Sequence, residues 1–204
     1  MIHIVGLGPG SMEYILPKAV AIMKHSEIIL GFRRALDSIS FINIQKVEVK
    51  NLDGILDFIN LNKSRDISVI ASGDPCFYGI LDYIRRNYKE SIKVIPGISS
   101  FQYLMAKLNK PWQGSFIGSL HGREEEFLKK VESNYISIWL TDKTNNPKSI
   151  CIKLKEGNFT VKVYIGENLS YKDEKITIGM PEELINNEYS NLSVVVIEND
   201  LYKG

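Results

Sequence analysis

Three short apolar runs in the first half of the chain each stop at a loop of glycine and proline. This recurrence restricts the fold more than any other feature. Residues 2–5 run into Gly6-Leu7-Gly8-Pro9-Gly10, residues 67–71 into Ser72-Gly73-Asp74-Pro75, and residues 92–95 into Pro96-Gly97-Ile98-Ser99-Ser100. A brief apolar run closed by such punctuation marks a buried strand. Between the runs the apolar spacing turns helical, with Leu16, Ala19, Val20 and Met23, then Ile55, Leu56 and Ile59. Phe77, Ile80, Leu81 and Ile84 predict a helix over 77–88, and Phe101, Leu104, Met105 and Leu108 predict another after the third loop. Further strands are expected at 27–30, ended by Gly31, and at 47–49. Strands alternating with helices predict an α/β unit with a mainly parallel sheet.

The rhythm pauses at Asn109-Lys110-Pro111, which sets an expected boundary between an N-terminal α/β domain (1–111) and a C-terminal α/β domain (112–204). In the second half, strands are expected at 115–118, 136–140, 161–165, 174–178 and 193–197. Helices are expected at 123–132, 147–155 and 181–186.

The charge balance narrows the partners. Lys plus Arg number 25 against 24 Asp plus Glu, a net of +1, which argues against a dedicated nucleic-acid binder. The mixed-sign cluster from Arg123 to Lys130 reads as a solvated helix face. Cys76 and Cys151 form no CxxC pair, so a reduced cytoplasmic setting is expected. The first residues carry no pattern of a secretory signal, and no run approaches the roughly 18 apolar residues of a membrane span. His3, His25 and His121 show no metal-ligand spacing, and no metal site is expected.

The three loops follow the carboxyl ends of strands, the edge where open α/β sheets bind ligands. Glycine there permits close approach of backbone to a ligand, but it also serves plain strand-to-helix turns. A dinucleotide reading is poor. A GxGxxG pattern begun at Gly6 meets Ser11 where its third glycine belongs, and no acidic residue follows at the ribose-binding distance. Gly31-Phe32-Arg33-Arg34 ends the second strand instead, which leaves an NADP enzyme as one alternative.

The motifs GLGPG (6–10), GDP (73–75), PGISS (96–100), SLHGR (119–123), TD with NNP (Thr141-Asp142, Asn145-Asn146-Pro147) and GENLS (166–170) occur here in order. Together they resemble the tetrapyrrole methylase family across nearly the whole chain. The resemblance implies two α/β domains with S-adenosylmethionine folded into the cleft between them, S-adenosylhomocysteine as the product, and a homodimer. SLHGR with PGISSFQ and GENL is most similar to the corrinoid branch that methylates C5 of cobalt-precorrin-7. A fused relative carries a second, C15-methylating and decarboxylating part; here that activity is expected on a separate protein. Other family members act at other macrocycle carbons, on diphthamide intermediates or on ribosomal RNA. A non-catalytic corrinoid carrier is a further alternative.

By that resemblance Pro9, flanked by Gly8 and Gly10, faces the substrate opening beside the cofactor. Asp74 and Phe77 approach the cofactor from the GDP loop, Ser99 and Ser100 hydrogen-bond it, and Leu140 packs near its adenine. His121 and Glu167 are the candidates for a general base, with a helix-capping histidine as the alternative for His121. Arg123 either pairs with a substrate carboxylate or lies in solvent, and Arg33 and Arg34 are further candidates of that kind. Asp142 is either part of the site or a cap of the next segment, and Cys76 reads as a structural thiol.

Overall fold

The computed structural model describes residues 1–120 and 126–202. The chain divides into two compact units, Met1–Ser100 and Phe101–Gly204.

In the first unit, strands β1 (Ile2–Gly6), β2 (Ile28–Gly31), β3 (Gln45–Glu48), β4 (Ile67–Ala71) and β5 (Ile92–Ile95) form one sheet in the order β3-β2-β4-β1-β5. Every pairing in it is parallel. Helices α1 (Pro17–His25), α2 (Arg33–Asp37), α3 (Leu52–Leu61) and α4 (Leu81–Asn87) make the crossovers.

Alternate strand residues serve opposite faces. Val5, Ile29 and Ile70 pack with Ala19, Met23, Ala35 and Leu36 of α1 and α2. Ile2, Ile4, Ile28, Leu30, Ile67 and Val69 pack with Ile55, Ile59 and Ile84 of α3 and α4. A sheet covered on both faces needs continuously apolar strands, and this is why those runs lack a polar alternation.

Helix α5 (Ser100–Lys107) starts on the last residue of the first unit, and the second unit contains the rest of it with β6 (Phe116–Ser119), α6 (Phe127–Glu132), β7 (Ile136–Leu140), α7 (Pro147–Glu156), β8 (Lys162–Glu167), β9 (Lys175–Gly179), α8 (Pro181–Leu184) and β10 (Ser193–Glu198). Its sheet order is β6-β7-β10-β8-β9. Only β6–β7 is parallel; β7–β10, β10–β8 and β8–β9 are antiparallel. Trp139, Val163, Ile165, Val195 and Ile197 pack against Ile150, Cys151 and Leu154 of α7, Val131 of α6 and Leu184 of α8.

The Asn109-Lys110-Pro111 pause falls inside this second unit. Its place there is fixed by the Lys110 ammonium, 2.6 Å from Glu198 on β10, and by Leu104 of α5, which fills the space beside Gly166 on β8.

Candidate functional site

The three glycine loops meet in the first unit, because β4, β1 and β5 are neighbours and end together. Gly8 and Gly73 form a two-way bridge: the Gly8 N–H donates to the Gly73 carbonyl at 3.2 Å, and the Gly73 N–H to the Gly8 carbonyl at 2.8 Å. Both adopt positive φ, 79° and 66°, which L-residues with a side chain rarely hold. The third loop closes against this bridge. A Cβ on Gly97 would stand 2.1 Å from the Gly73 carbonyl oxygen, and one on Gly6 would stand 2.6 Å from the Gly97 nitrogen. The glycines therefore join the loops to one another, and ligand contacts fall to the residues that follow them.

Those residues are Pro9, Asp74, Phe77, Ser99 and Ser100. Pro9 and Gly10 are half-buried, and Gly8 is buried. Asp74 Oδ1 accepts from the Cys76 N–H at 2.8 Å, so the carboxylate is held by its own turn. Phe77 is half-buried beside it. Ser99 is buried and lies against Gly73, where an added Cβ would stand 3.7 Å from the Ser99 Cα. Ser100 opens α5. Asp74, Phe77, Ser99 and Ser100 thus share one edge of one unit.

Cys76 is exposed on this loop, and burial followed by the neighbouring Asp74 charge pushes its thiol up. This direction disfavours the thiolate that a nucleophile would need.

The expected helix over 77–88 begins later, at Leu81, because Tyr78 takes a positive φ of 47° and Gly79 turns the chain under Pro75. This residue, on the rim of the GDP loop, is one that helical periodicity passes over.

Around the end of β2 the charges are already matched. Arg33 lies 3.3 Å from Asp37 and 3.5 Å from Glu48, at the rim of a depression of about 350 Å³ lined also by Lys46, Ser40 and Leu36. Two carboxylates beside the Arg33 guanidinium disfavour a 2′-phosphate at that residue.

The remaining candidates lie in the second unit. Leu140 ends β7, and its carbonyl accepts from the Leu120 N–H at 2.9 Å. Thr141 is buried and donates to the Ser193 carbonyl at 2.7 Å. Asp142 accepts from the N–H groups of Thr144 and Asn145 at 2.8 and 2.6 Å, while Asn146 caps α7 through Ser149. The TD–NNP motif is thus a turn followed by a helix cap.

Glu167 is buried at the end of β8. Its Oε1 accepts from the Ser190 N–H at 2.8 Å; its Oε2 has no hydrogen-bond partner and has the exposed Lys175 ammonium at 3.9 Å. The rest of GENLS is pinned to its surroundings. Glu174 accepts from the Ser170 N–H at 2.6 Å and pairs with Lys107 of α5 at 3.2 Å. Burial and then the hydrogen bond to Glu174 push the Tyr103 hydroxyl up to about 12. His121 and Arg123 lie outside the described residues.

The model of the family described as Tetrapyrrole (Corrin/Porphyrin) Methylases matches residues 1–185. A relative from Methanocaldococcus jannaschii, described as a probable cobalt-precorrin-7 C(5)-methyltransferase, is 35% identical over 98% of this chain and 99% of its own. The crystal structure of precorrin-6Y methylase from Archaeoglobus fulgidus superposes with a TM-score of 0.77 over 98% of both chains at 24% identity. Uroporphyrin-III C-methyltransferase from Thermus thermophilus, solved with S-adenosylhomocysteine, gives 0.77 over 97% of this chain and 91% of its own at 19% identity. The family model covers most of the chain and the relatives match it over nearly their full length, and the chain belongs to the tetrapyrrole methylase family.

Proposed function

We propose that this chain is an S-adenosylmethionine-dependent C-methyltransferase that methylates C5 of cobalt-precorrin-7. The observation that carries the substrate assignment is the 35% identity, over almost the whole of both chains, to a relative described by that activity. The glycine edge of the first unit supports the cofactor assignment. Gly6 and Gly97 lock the three loops together, which sets Pro9, Asp74, Phe77, Ser99 and Ser100 along one edge with a carboxylate among them.

When bound, S-adenosylmethionine supplies a methyl group that is already electrophilic, so the protein needs no covalent nucleophile. Among the chain's own residues, Asp74 would offer a carboxylate to the cationic part of the cofactor, and Ser99 and Ser100 would hold it through their hydroxyls. The N-terminus of α5 favours its carboxylate electrostatically. Pro9, with Gly8 and Gly10, borders the substrate. Holding two reactants in line is the main contribution, potentially about 7–11 kcal/mol of the barrier. Glu167 is the described candidate for moving a macrocycle proton, but its bond to Ser190 favours a loop-pinning role. The proposal extends to a homodimer, by family resemblance, and to a cytoplasmic setting, which the two free cysteines support. Among the described residues no helix is long and apolar enough to cross a membrane.

Calorimetric titration with S-adenosylhomocysteine, with NADPH as control, tests the cofactor. Incubation with S-adenosylmethionine and cobalt-precorrin-7, followed by mass spectrometry and carbon NMR, tests the reaction. The expected product carries one added methyl at C5. Binding of NADPH alone, or methylation at another carbon, overturns the respective assignment.

A further inference from the structure

Five described residues other than glycine adopt positive φ: Tyr78, Asn109, Asn158, Asn168 and Ser170. Three are asparagines, which tolerate the left-handed region, and one is a small serine. Tyr78 is the bulky exception, and an aromatic side chain at φ 47° is a genuine outlier. Strain of this kind persists where the surroundings enforce it, and it concentrates at ligand-binding sites.

The surroundings of Tyr78 do enforce it. The Phe77 N–H donates to the Asp74 carbonyl at 3.1 Å, and the Leu81 N–H to the Pro75 carbonyl at 3.2 Å. A Cβ on Gly79 would stand 2.5 Å from the Pro75 carbonyl oxygen, so no other residue type closes the turn. Burial does not explain why the strained position carries a large ring, for Tyr78 is 40% exposed. Its ring meets Phe77 edge-on at 4.9 Å, which leaves the pair as an aromatic step beside the Asp74 loop. An aromatic kept at a strained, exposed position next to a binding loop fits a ligand with a broad, flat, conjugated face.

We propose that Tyr78 is a substrate-contact residue that packs its ring against the corrinoid macrocycle and is held in place by the strained Asp74–Gly79 turn. The assignment rests on the corrinoid-methyltransferase reading given above. It is distinct from the cofactor contacts of Asp74 and Phe77.

The test uses Tyr78→Asn, which fits positive φ and removes the ring, and Tyr78→Phe, which keeps both ring and strain. Binding of cobalt-precorrin-7 is read by absorbance titration, without requiring turnover, and binding of S-adenosylhomocysteine by calorimetry. For Tyr78→Asn the corrinoid dissociation constant is expected to rise about tenfold, equivalent to 1.4 kcal/mol. The S-adenosylhomocysteine constant is expected to stay as in the parent, and Tyr78→Phe to recover most of the corrinoid affinity. Unchanged corrinoid affinity in Tyr78→Asn overturns the proposal. So does a parent protein that binds S-adenosylhomocysteine but no corrinoid, which sinks the substrate reading as well. A parent that binds corrinoid through Tyr78 but no S-adenosylhomocysteine leaves this assignment standing and removes only the cofactor reading.

Discussion

Gly97 approaches Gly73 so closely that a methyl group on the first would lie 2.1 Å from the carbonyl oxygen of the second. Backbone on both sides of this contact cannot retreat the way a flexible side chain can. Gly97→Ala is therefore expected to cost about 3 kcal/mol, the upper part of the range for overpacking. Gly114 supplies the contrast, with φ at 78° and nothing within 4 Å of its Cβ direction. Gly114→Ala is expected to cost about 1–2 kcal/mol, from backbone conformation alone. Urea denaturation of both variants checks the order, and S-adenosylhomocysteine binding should suffer only in Gly97→Ala. Equal costs would mean that the loops separate more easily than their contact implies.

His3 on β1 gives the fold a dependence on mild acid. Burial first, then the charges of Lys93, the N-terminal ammonium and Lys18, lower its pKa from 6.5, while Asp66 opposes them. Its Nδ1 is buried with no hydrogen-bond partner. With the folded value below the unfolded one, the unfolded chain binds the proton first as pH falls. The stabilising contribution is therefore complete above about pH 6.5 and is lost as pH drops through the folded value. Melting temperatures measured from pH 7.5 down to 5 should fall in the parent protein and fall less steeply in His3→Gln. Parallel curves would show that His3 titrates alike in both states. The carboxylates held below their usual range, Glu174 and Glu198 among them, act at lower pH than this window.

Much of this architecture is legible from residue pattern because the first sheet is buried on both faces. Runs such as Ile67–Ala71 have no polar alternation to confuse them, and Gly or Pro ends each one. All ten strands of the described residues lie within two residues of the expected ranges at each end. The five residues of α2, Arg33–Asp37, are too few to show a period, so no helix is expected there. The apolar spacing from Phe77 to Ile84 is real, yet its first turn is not helical, since no propensity rule signals a tyrosine at positive φ. The largely antiparallel second sheet is also hidden, because strand direction depends on which strands become neighbours. For the site, the motifs mark the loops correctly as one edge of a sheet, and what they do not disclose is the bonding. Gly8 and Gly73 donate to each other, Asp142 caps its own turn, and Glu167 is engaged with Ser190. The glycine bridge and the Glu167 bond are tertiary partnerships with no trace in local spacing, while the Asp142 turn is local and matches one of the two readings of that residue.

Glu167 separates a positioning role from a chemical one. Glu167→Ala removes the acceptor for the partly buried Ser190 N–H and is expected to cost about 1 kcal/mol in stability. Glu167→Gln keeps an acceptor there while removing the negative charge. If the residue only pins the loop, kcat of Glu167→Gln should stay within a few-fold of the parent. A general base would instead lose roughly 10²–10⁴ in rate. We expect the first result, read from single-turnover methylation with saturating substrate. The second would restore Glu167 as the proton acceptor through Oε2.

Glu198 anchors the connection that follows α5. It accepts from Lys110 at 2.6 Å, from Tyr135 at 3.1 Å and from Tyr164 at 2.5 Å, with its side chain 8% exposed and that of Lys110 24% exposed. Burial works to raise the carboxyl, but these three donors together hold it below the usual range. Removing the carboxylate strands a partly buried ammonium and the buried Tyr164 hydroxyl at once, whereas removing the ammonium leaves the carboxylate with both tyrosines. Glu198→Ala is therefore expected to cost about 3 kcal/mol, the lower end for a broken buried pair because Lys110 retains some water. Lys110→Met should cost clearly less, and the double variant less than the sum of the two, since the two residues share one network. Chemical denaturation of the three variants forms the complete cycle. Additive losses would mean that the ion pair is incidental, and that the tyrosine bonds alone fasten the segment between α5 and β6 to β10.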